Sequence, residues 1–339
     1  MTYAVSFDNR LRALSLGFLV ILIVLGTASA QLGTPNSPYG HNTQPLAKAP
    51  QEGVNPFITY SAAEYATGGV GLRNQEERSI IISGLPVPSS AVDAYLYWVF
   101  LLNTTTPPPP VTGMKLCRTW PVGPTAACVT LSGTLLAIGG DPCWGSLGAY
   151  IYRAQVPVSV ASGNGNYFAR TLPGASGLTD GEDPWDGNVV FQLAEGASLV
   201  IVSTGSHTVS LYDTGISGLT VNTANASLPY TLNLPLATSG GTVLWDNFGS
   251  DGQVGVSRTA NAAAEETTII NGTPVAGPGI GAVDSDSDWN GSAGFPLPQL
   301  WDDTGHDITA AAPGGTTFLD VLFFSPADCW NVVGNVVSE

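Results

Sequence analysis

The chain has 339 residues, of which 26 are acidic and 10 basic, giving a formal net charge of −16 at pH 7. So few basic side chains cannot neutralise a row of phosphates, which excludes a nucleic-acid-binding protein and disfavours binding to an anionic membrane surface. Only 11% of the residues are charged, whereas 41 are Gly and 25 are Pro, a composition that favours short strands and tight turns over helices.

The first thirty residues have the pattern of a secretory signal peptide. Arg10 and Arg12 precede an apolar run at residues 13–25, and residues 28–30 (ASA) form a small-residue cleavage sequence. The apolar run is shorter than the roughly 18–20 residues that span a bilayer, although an uncleaved anchor is the alternative. We therefore predict a secreted or cell-surface protein with no integral membrane segment in its mature chain. Residues 31–56, rich in Pro, Gly, Asn and Gln, are predicted to form a flexible leader or an arm along a sheet edge.

From residue 58 onward the sequence is strand-like. Residues 94–102 (AYLYWVFLL) are apolar throughout, which predicts a strand buried on both faces. The other predicted strands are 79–83, 127–131, 149–154, 166–171, 189–193, 198–203, 208–212, 219–222, 230–234, 241–245, 267–270 and 317–324. The predicted fold class is all-β.

Several segments occur twice in the same order along the chain. The resembling pairs are 130–140 with 269–279, 152–158 with 305–309, and 163–169 with 314–324. This repetition predicts two related, jelly-roll-like β-sandwich units, at 57–205 and 206–339, stapled by disulfides. The alternative is that the segments resemble each other only because a Gly-rich β protein uses the same few residue types throughout.

The four cysteines are Cys117, Cys128, Cys143 and Cys329. An even number in an exported protein predicts two disulfides, for which three connectivities exist. Cys117 and Cys128 flank a turn-rich segment, so we expect them to close a local loop and the other two to join distant parts of the chain. A zinc site is disfavoured, because there is no C-x-x-C spacing and the three histidines are scattered.

Residues 284–291 (DSDSDWNG) resemble the first half of a calcium-binding loop. Alternating carboxylates supply the hard oxygens that calcium prefers, and Gly291 permits the sharp turn. The candidate ligands are Asp284, Asp286, Asp288 and Asn290. Because Leu297 stands where the last ligand of a helix–loop–helix site would be Glu, we expect a β-loop site. Calcium is the one cofactor the sequence suggests, and a solvated acidic loop is the alternative.

Some tryptophans lie in polar, loop-like segments, where sugar-stacking side chains are usually found. These candidate ligand-binding residues are Trp144, Trp185, Trp289 and Trp301. Loop tryptophans in a β-sandwich also commonly cover the ends of the core, which is the alternative. Trp98 and Trp245 lie in predicted strands and are expected in the core.

Five short segments together resemble a family of secreted or cell-surface proteins of archaea and bacteria that is described as a domain of unknown function. They are AVDAYLYW (91–98), AEGASLVIV (194–202), LYD (211–213), NG (271–272) and HDIT (306–309). The last part of this series also resembles the jelly-roll units of galactose-binding-like domains. The resemblance covers roughly residues 60–335 and implies an all-β extracellular module, but it implies no catalytic residue.

These observations favour a non-catalytic protein with a structural, adhesive or surface-binding role, whose partner is a glycan or a cell-surface protein. A calcium-dependent carbohydrate-binding module is the second hypothesis. A secreted glycosidase or an aspartic-type protease is the third, the latter because Asp-Thr-Gly occurs at Asp213 and again at Asp303. The sequence nominates no catalytic residues and predicts no oligomeric state.

Overall fold

The computed structural model describes residues 53–73, 77–88, 90–102, 113–120, 127–139, 146–172, 193–214, 220–221, 227–250, 252, 267–277, 288–289, 291, 293, 300–324 and 330–339. The predicted signal peptide and most of the predicted leader lie outside these residues. At the end of the leader, Val54 pairs with Leu232, and Val54 N donates to Thr231 O at 2.7 Å. Residues 53–56 therefore lie along a sheet edge, as expected for an arm.

Strands make up the secondary structure of the described residues. They are β1 (Ile58–Gly71), β2 (Glu77–Ile82), β3 (Ala91–Leu102), β4 (Met114–Trp120), β5 (Ala127–Leu131), β6 (Thr134–Gly139), β7 (Gly148–Gln155), β8 (Gly165–Thr171), β9 (Leu193–Thr204), β10 (His207–Tyr212), β11 (Thr220–Val221), β12 (Ser227–Asn233), β13 (Leu244–Ser250), β14 (Thr267–Ile270), β15 (Thr273–Ala276), β16 (Trp301–Asp307), β17 (Phe318–Phe324) and β18 (Trp330–Ser338). No helix among the described residues is long and apolar enough to cross a bilayer. The predicted all-β class is confirmed.

The strands form one large and two small antiparallel sheets. The ten-stranded sheet has the order β16-β13-β18-β10-β1-β9-β3-β7-β6, with β11 beside β18. The small sheets have the orders β2-β8-β4-β5 and β12-β17-β14-β15. Each small sheet thus contains strands from only one half of the chain, whereas the large sheet joins the two halves through the β1–β10 pair.

The two halves repeat one strand order. In the large sheet, β1-β9-β3-β7 corresponds to β10-β18-β13-β16, and in the small sheets β2-β8-β4-β5 corresponds to β12-β17-β14-β15. Two facing four-stranded sheets with this connectivity form a jelly roll. The predicted fold of two related jelly-roll-like units is therefore confirmed, and the second copy of the order begins after the turn at residues 205–206.

The sequence repeat aligns two of its three segment pairs with equivalent strands. Residues 152–158 and 305–309 contribute to β7 and β16, and residues 163–169 and 314–324 to β8 and β17. The third pair does not align equivalent strands. Residues 130–140 contain the β5–β6 turn, whereas residues 269–279 contain the β14–β15 hairpin. The counterpart of that hairpin in the first unit is the β4–β5 hairpin. Both segments read strand–turn–strand, so local pattern alone could not distinguish them.

Three clusters of buried hydrophobic residues lie between the layers of the structure. One lies between the first half of the large sheet and the β2-β8-β4-β5 sheet, and a second lies between the other half and the β12-β17-β14-β15 sheet. The third combines residues of both halves of the large sheet, and here the rings of Tyr97 and Phe248 lie 5.0 Å apart. The two sandwiches therefore pack against each other through the outer faces of the large sheet.

Strand β3 shows how the central layer is buried on both faces. Leu96, Trp98 and Phe100 belong to the cluster inside the first sandwich, whereas Tyr97 and Val99 belong to the cluster between the sandwiches. Successive side chains of a strand point to opposite faces, so a strand between two cores must be apolar at every position. The predicted burial of residues 94–102 on both faces is confirmed, since all are at most 5% exposed.

Strands β4, β16 and β18 of the structure were not predicted. Strand β16 (WDDTGHD) is the clearest case, because its acidic and Gly content resembles a loop. It is an edge strand whose polar side chains find partners on neighbouring layers, information that its local sequence does not contain.

The disulfide between Cys117 and Cys128 is present, and its two Cα atoms lie 4.0 Å apart. The two residues are direct partners in the β4–β5 pair. The bond therefore closes a local hairpin loop, as predicted. Cys143 and Cys329 lie outside the described residues, and their bond stays a prediction.

Candidate functional site

A cleft of about 450 Å³ lies in the first sandwich, between the β5–β6 turn and strands β3 and β7. Its lining residues are Phe57, Tyr95, Thr130, Leu131, Ser132, Thr134, Arg153, Ala154 and Gln155. The Thr and Ser residues and Gln155 are exposed, whereas Tyr95 is buried. The cleft therefore presents hydroxyl and amide groups beside two aromatic rings.

Arg153 carries the positive charge of this cleft and is paired with a carboxylate of the protein. Its guanidinium carbon lies 3.7 Å from the ring centroid of Phe57 and 5.8 Å from that of Tyr95. Nη1 donates to Oδ2 of Asp213, and Oδ1 of Asp213 accepts a hydrogen bond from the Tyr97 hydroxyl at 3.0 Å. Burial raises the pKa of Asp213, and Arg153 and Tyr97 partly offset that rise. The cation is therefore matched by a carboxylate of the second unit.

Asp93 anchors a second network beside the cleft. Its Oδ2 accepts hydrogen bonds from Tyr60 (2.7 Å) and Tyr95 (2.8 Å), and its Oδ1 accepts one from Gln155 (2.8 Å). Burial raises the pKa of Asp93, but the hydrogen bonds from Gln155, Tyr60 and Tyr95 outweigh it and leave the pKa below its ordinary value. Burial and the bond to Asp93 raise the pKa of Tyr95 to about 12, even though Tyr60 and Arg153 act in the opposite direction. These groups hold Tyr95 and Gln155 in place at the cleft.

A different polar group lies where β13 and β16 face β1 and β9. The hydroxyl of Tyr65 donates to Oδ2 of Asp246, and Oγ of Ser198 donates to Oδ2 of Asp303 at 2.6 Å. Nε1 of Trp301 donates to the same Ser198 hydroxyl at 3.0 Å. Side chains of the two units are thus joined by hydrogen bonds to two carboxyl groups.

Glycines permit this close packing. A Cβ on Gly69 would lie 2.8 Å from Cβ of Asp303, and one on Gly196 would lie 2.5 Å from ring atoms of Trp301. Real Cβ atoms do not approach their neighbours so closely. These two positions in β1 and β9 must therefore lack a side chain for β16 to lie against them.

The two carboxyl groups at this contact are poorly solvated. Burial raises the pKa of Asp246 to about 6, against the opposing effects of the Tyr65 hydrogen bond and of His306. Burial also raises the pKa of Asp303 to about 7, against the hydrogen bonds from Ser198 and Thr67, and the charge of Asp246 adds to the rise. Both groups therefore favour the protonated form more than ordinary aspartates do.

Of the predicted calcium ligands, the structure describes Asp288. It is 3% exposed; its Oδ2 accepts a hydrogen bond from Thr268 at 2.5 Å, and its Oδ1 lies 2.8 Å from Nε2 of His306. Burial lowers the pKa of His306, but Asp288 outweighs that effect and the net shift is upward. The described residues contain no group of three His, Cys, Asp or Glu side chains that could hold a metal. The other predicted ligands, Asp284, Asp286 and Asn290, lie outside the described residues, and calcium stays a prediction.

Two of the four predicted sugar-stacking tryptophans are described, and both are completely buried. Trp289 stacks on Trp330 with ring centroids 5.1 Å apart, and Trp301 is part of β16. Their burial agrees with the alternative, in which such tryptophans belong to the core. Trp144 and Trp185 lie outside the described residues. Trp98 and Trp245 are buried in the cores, as expected.

The two Asp-Thr-Gly sequences have separate surroundings. Asp213 bonds to Arg153 and Tyr97, whereas Asp303 bonds to Ser198. An aspartic-type site requires its two carboxyl groups to share a proton, and these two share no hydrogen-bond partner. Asp303 belongs to strand β16.

Sequence reasoning did not single out the residues of the cleft. Phe57, Tyr95, Arg153 and Gln155 come from three separate segments, which only the sheet brings together. A partial signal exists in the alternation of residues 93–97 (DAYLY), where Asp93, Tyr95 and Tyr97 place hydroxyl and carboxyl groups on one face of β3. An apolar strand with polar atoms on one face indicates a buried network.

No family model matches this chain, and no curated protein matches it. Among solved structures, the chain is similar to BuGH86 in complex with neoagarooctaose, with 11% identity and a TM-score of 0.25 over 77% of this chain. It spans about a third (33%) of that protein's length. It is also similar to N-glycanase F (PNGase F), with 10% identity and a TM-score of 0.26 over 82% of this chain and 96% of the other. At such TM-scores these likenesses carry no argument about activity.

Proposed function

We propose that this protein is a non-catalytic, extracellular binding protein whose cleft beside Tyr95 and Arg153 takes a neutral glycan. The observation that supports this function is the chemistry of the cleft: exposed hydroxyl and amide groups line it, and its charges are matched within the protein. Sugars present hydroxyl groups that donate and accept hydrogen bonds.

The charge balance favours a neutral ligand. Arg153 is paired with Asp213, and Asp93 accepts hydrogen bonds from Tyr60, Tyr95 and Gln155. An anionic ligand would have to compete with Asp213 for Arg153, and a cationic ligand would have to compete with three donors for Asp93. A neutral polyhydroxylated ligand does neither.

The lining also favours binding without catalysis. None of the nine described residues that line the cleft is Asp, Glu, His or Cys. Glycoside hydrolysis uses a pair of carboxyl groups that flank the scissile bond, and the cleft presents no such pair among these residues.

A glycan array, followed by calorimetric titration of the best neutral oligosaccharide, tests this function. Ser132 is exposed on the β5–β6 turn, so Ser132→Trp would fill the cleft without entering the core. We expect it to weaken binding at least about tenfold, equivalent to about 1.4 kcal/mol. Thr273→Trp, at an exposed position of the β14–β15 hairpin, is the matched control and should bind as the wild type does.

Two outcomes would contradict the proposal: no binding to any neutral glycan, or equal binding by Ser132→Trp and the wild type. Repeating the titration with EDTA tests the calcium hypothesis separately. Affinity lost with EDTA and restored by calcium supports a metal-dependent module, whereas unchanged affinity removes calcium from the binding step.

A further inference from the structure

We propose that Asp246 and Asp303 form a proton-dependent lock between the two β-sandwich units. When they are protonated, they hold β13 and β16 against β1 and β9, and when both are ionised this contact loosens. This device goes beyond ligand binding, because it acts at the contact between units and not at the cleft. The observation behind it is that two carboxyl groups lie between the units and accept hydrogen bonds from neutral hydroxyl groups of β1 and β9.

The hydrogen bonds of the lock cross from one unit to the other. Tyr65, on β1, donates to Asp246, on β13, and Ser198, on β9, donates to Asp303, on β16. The glycine at position 69 lets Asp303 lie directly against β1. Any separation of β13 and β16 from β1 and β9 therefore breaks both bonds.

The charged and titratable groups around the pair are mostly acidic or neutral. Strand β1 contributes Tyr65 and Glu64, and Glu64 bonds to His207 at 2.8 Å. Strand β9 contributes the neutral Ser198. Strand β16 contributes His306, whose charge favours the ionised form of Asp246, but Nε2 of His306 is bonded to Asp288. No Lys or Arg of the described chain is among the groups that act on either carboxyl group.

The direction of the pH effect follows from the raised pKa values. Each carboxyl group binds its proton more tightly in the folded than in the unfolded protein, so its stabilising contribution is complete below about pH 3.8, the ordinary value. This contribution is lost as the pH rises through the folded-state values of about 6 and about 7. Above that range the contact holds two ionised carboxylates in a poorly solvated space.

Thermal unfolding of the full chain between pH 4 and pH 8 tests the lock. We expect the melting temperature of the wild type to fall by about 5 °C or more over this range. Asn has the shape of a protonated Asp and cannot ionise, so Asp246→Asn with Asp303→Asn should flatten the profile and raise the melting temperature at pH 8. His306 is retained in this variant, but Asp246 also raises its pKa, so the change in slope includes the response of His306, and infrared spectra separate the carboxyl groups from it.

A matched control is Asp320→Asn, at an exposed carboxylate on β17 that bonds to Thr231. This variant should keep the wild-type slope. Infrared difference spectra between pH 5 and pH 8 provide an independent measurement: the wild type should lose a protonated-carboxyl C=O band that the double variant lacks. If the double variant does not fold, each single Asn variant should reduce both signals. Equal slopes in the wild type and the folded Asn variants, or identical infrared differences, would overturn the proposal.

Discussion

The contact between the two units has two regions built on equivalent strands, and they neutralise buried carboxyl groups in different ways. In one region Arg153 of β7 pairs with Asp213 while Tyr97 donates to the same carboxylate. In the other, β16 takes the place of β7 in the strand order and carries Asp303, near Asp246. A duplicated fold thus places a cation in one region and a second acid in the other.

The difference has a physical cause. A buried carboxylate is costly unless a cation, several hydrogen bonds or a proton compensates its charge. Asp213 is compensated by the guanidinium of Arg153 and by the hydroxyl of Tyr97. Asp246 and Asp303 depend on hydroxyl donors and on protonation. Burial raises the pKa of Asp213 as well, against Arg153 and Tyr97, so we expect the first region to respond to pH less strongly than the second.

The largest effect is expected when Arg153 loses its charge. Arg153→Met leaves Asp213 between the units without its cation and should lower the free energy of unfolding by about 3 kcal/mol at pH 7.5. Because Asp213 can then be neutralised only by a proton, part of this loss should be regained at pH 5. Denaturant unfolding at both pH values measures it. The double variant Arg153→Met with Asp213→Asn should recover most of the loss, and a loss that is independent of pH would contradict the comparison.

A smaller effect is expected from closing the space that Asp303 occupies. Gly69→Ala puts a Cβ 2.8 Å from Cβ of Asp303 and should destabilise the protein by about 1–3 kcal/mol, the usual cost of overpacking. The matched control is Gly241→Ala, whose Cβ would meet Oγ of Ser239 at an ordinary 3.5 Å. Thermal unfolding of both variants measures the difference. Equal stabilities would mean that β16 does not lie so closely against β1.

The smallest effect is expected at an exposed ion pair. Glu77 and Arg170 approach to 3.8 Å with side chains 45% and 47% exposed. Glu77→Gln should change the free energy of unfolding by less than about 1 kcal/mol, since solvent already screens the pair. Denaturant unfolding at low and high salt measures this. A change as large as that of Arg153→Met would show that burial does not govern the strength of these pairs.

Much of the fold could be predicted from the sequence because it depends on local pattern. Strands β3, β9 and β10 could be located from alternation and apolar runs, which depend only on neighbouring residues. In the same way, Asn271-Gly272 specifies a tight hairpin turn. Both of these residues have positive φ angles, 49° and 77°, as a two-residue hairpin of this kind requires. The position of Cys117 and Cys128 beside a turn likewise predicted their bond.

The sequence by itself determined the all-β class and the acidic, charge-poor character of the chain, because these depend on composition and on short-range periodicity, and the repeated order of its segments predicted the duplication. Only the tertiary structure decided which polar residues are buried and what they face. Trp301 and Asp303 resemble loop residues in sequence, yet they lie between two sandwiches, because Gly69 and Gly196, distant in the chain, leave room for them. The cleft, too, exists only where three separated segments meet, since side chains far apart in sequence become neighbours through strand pairing.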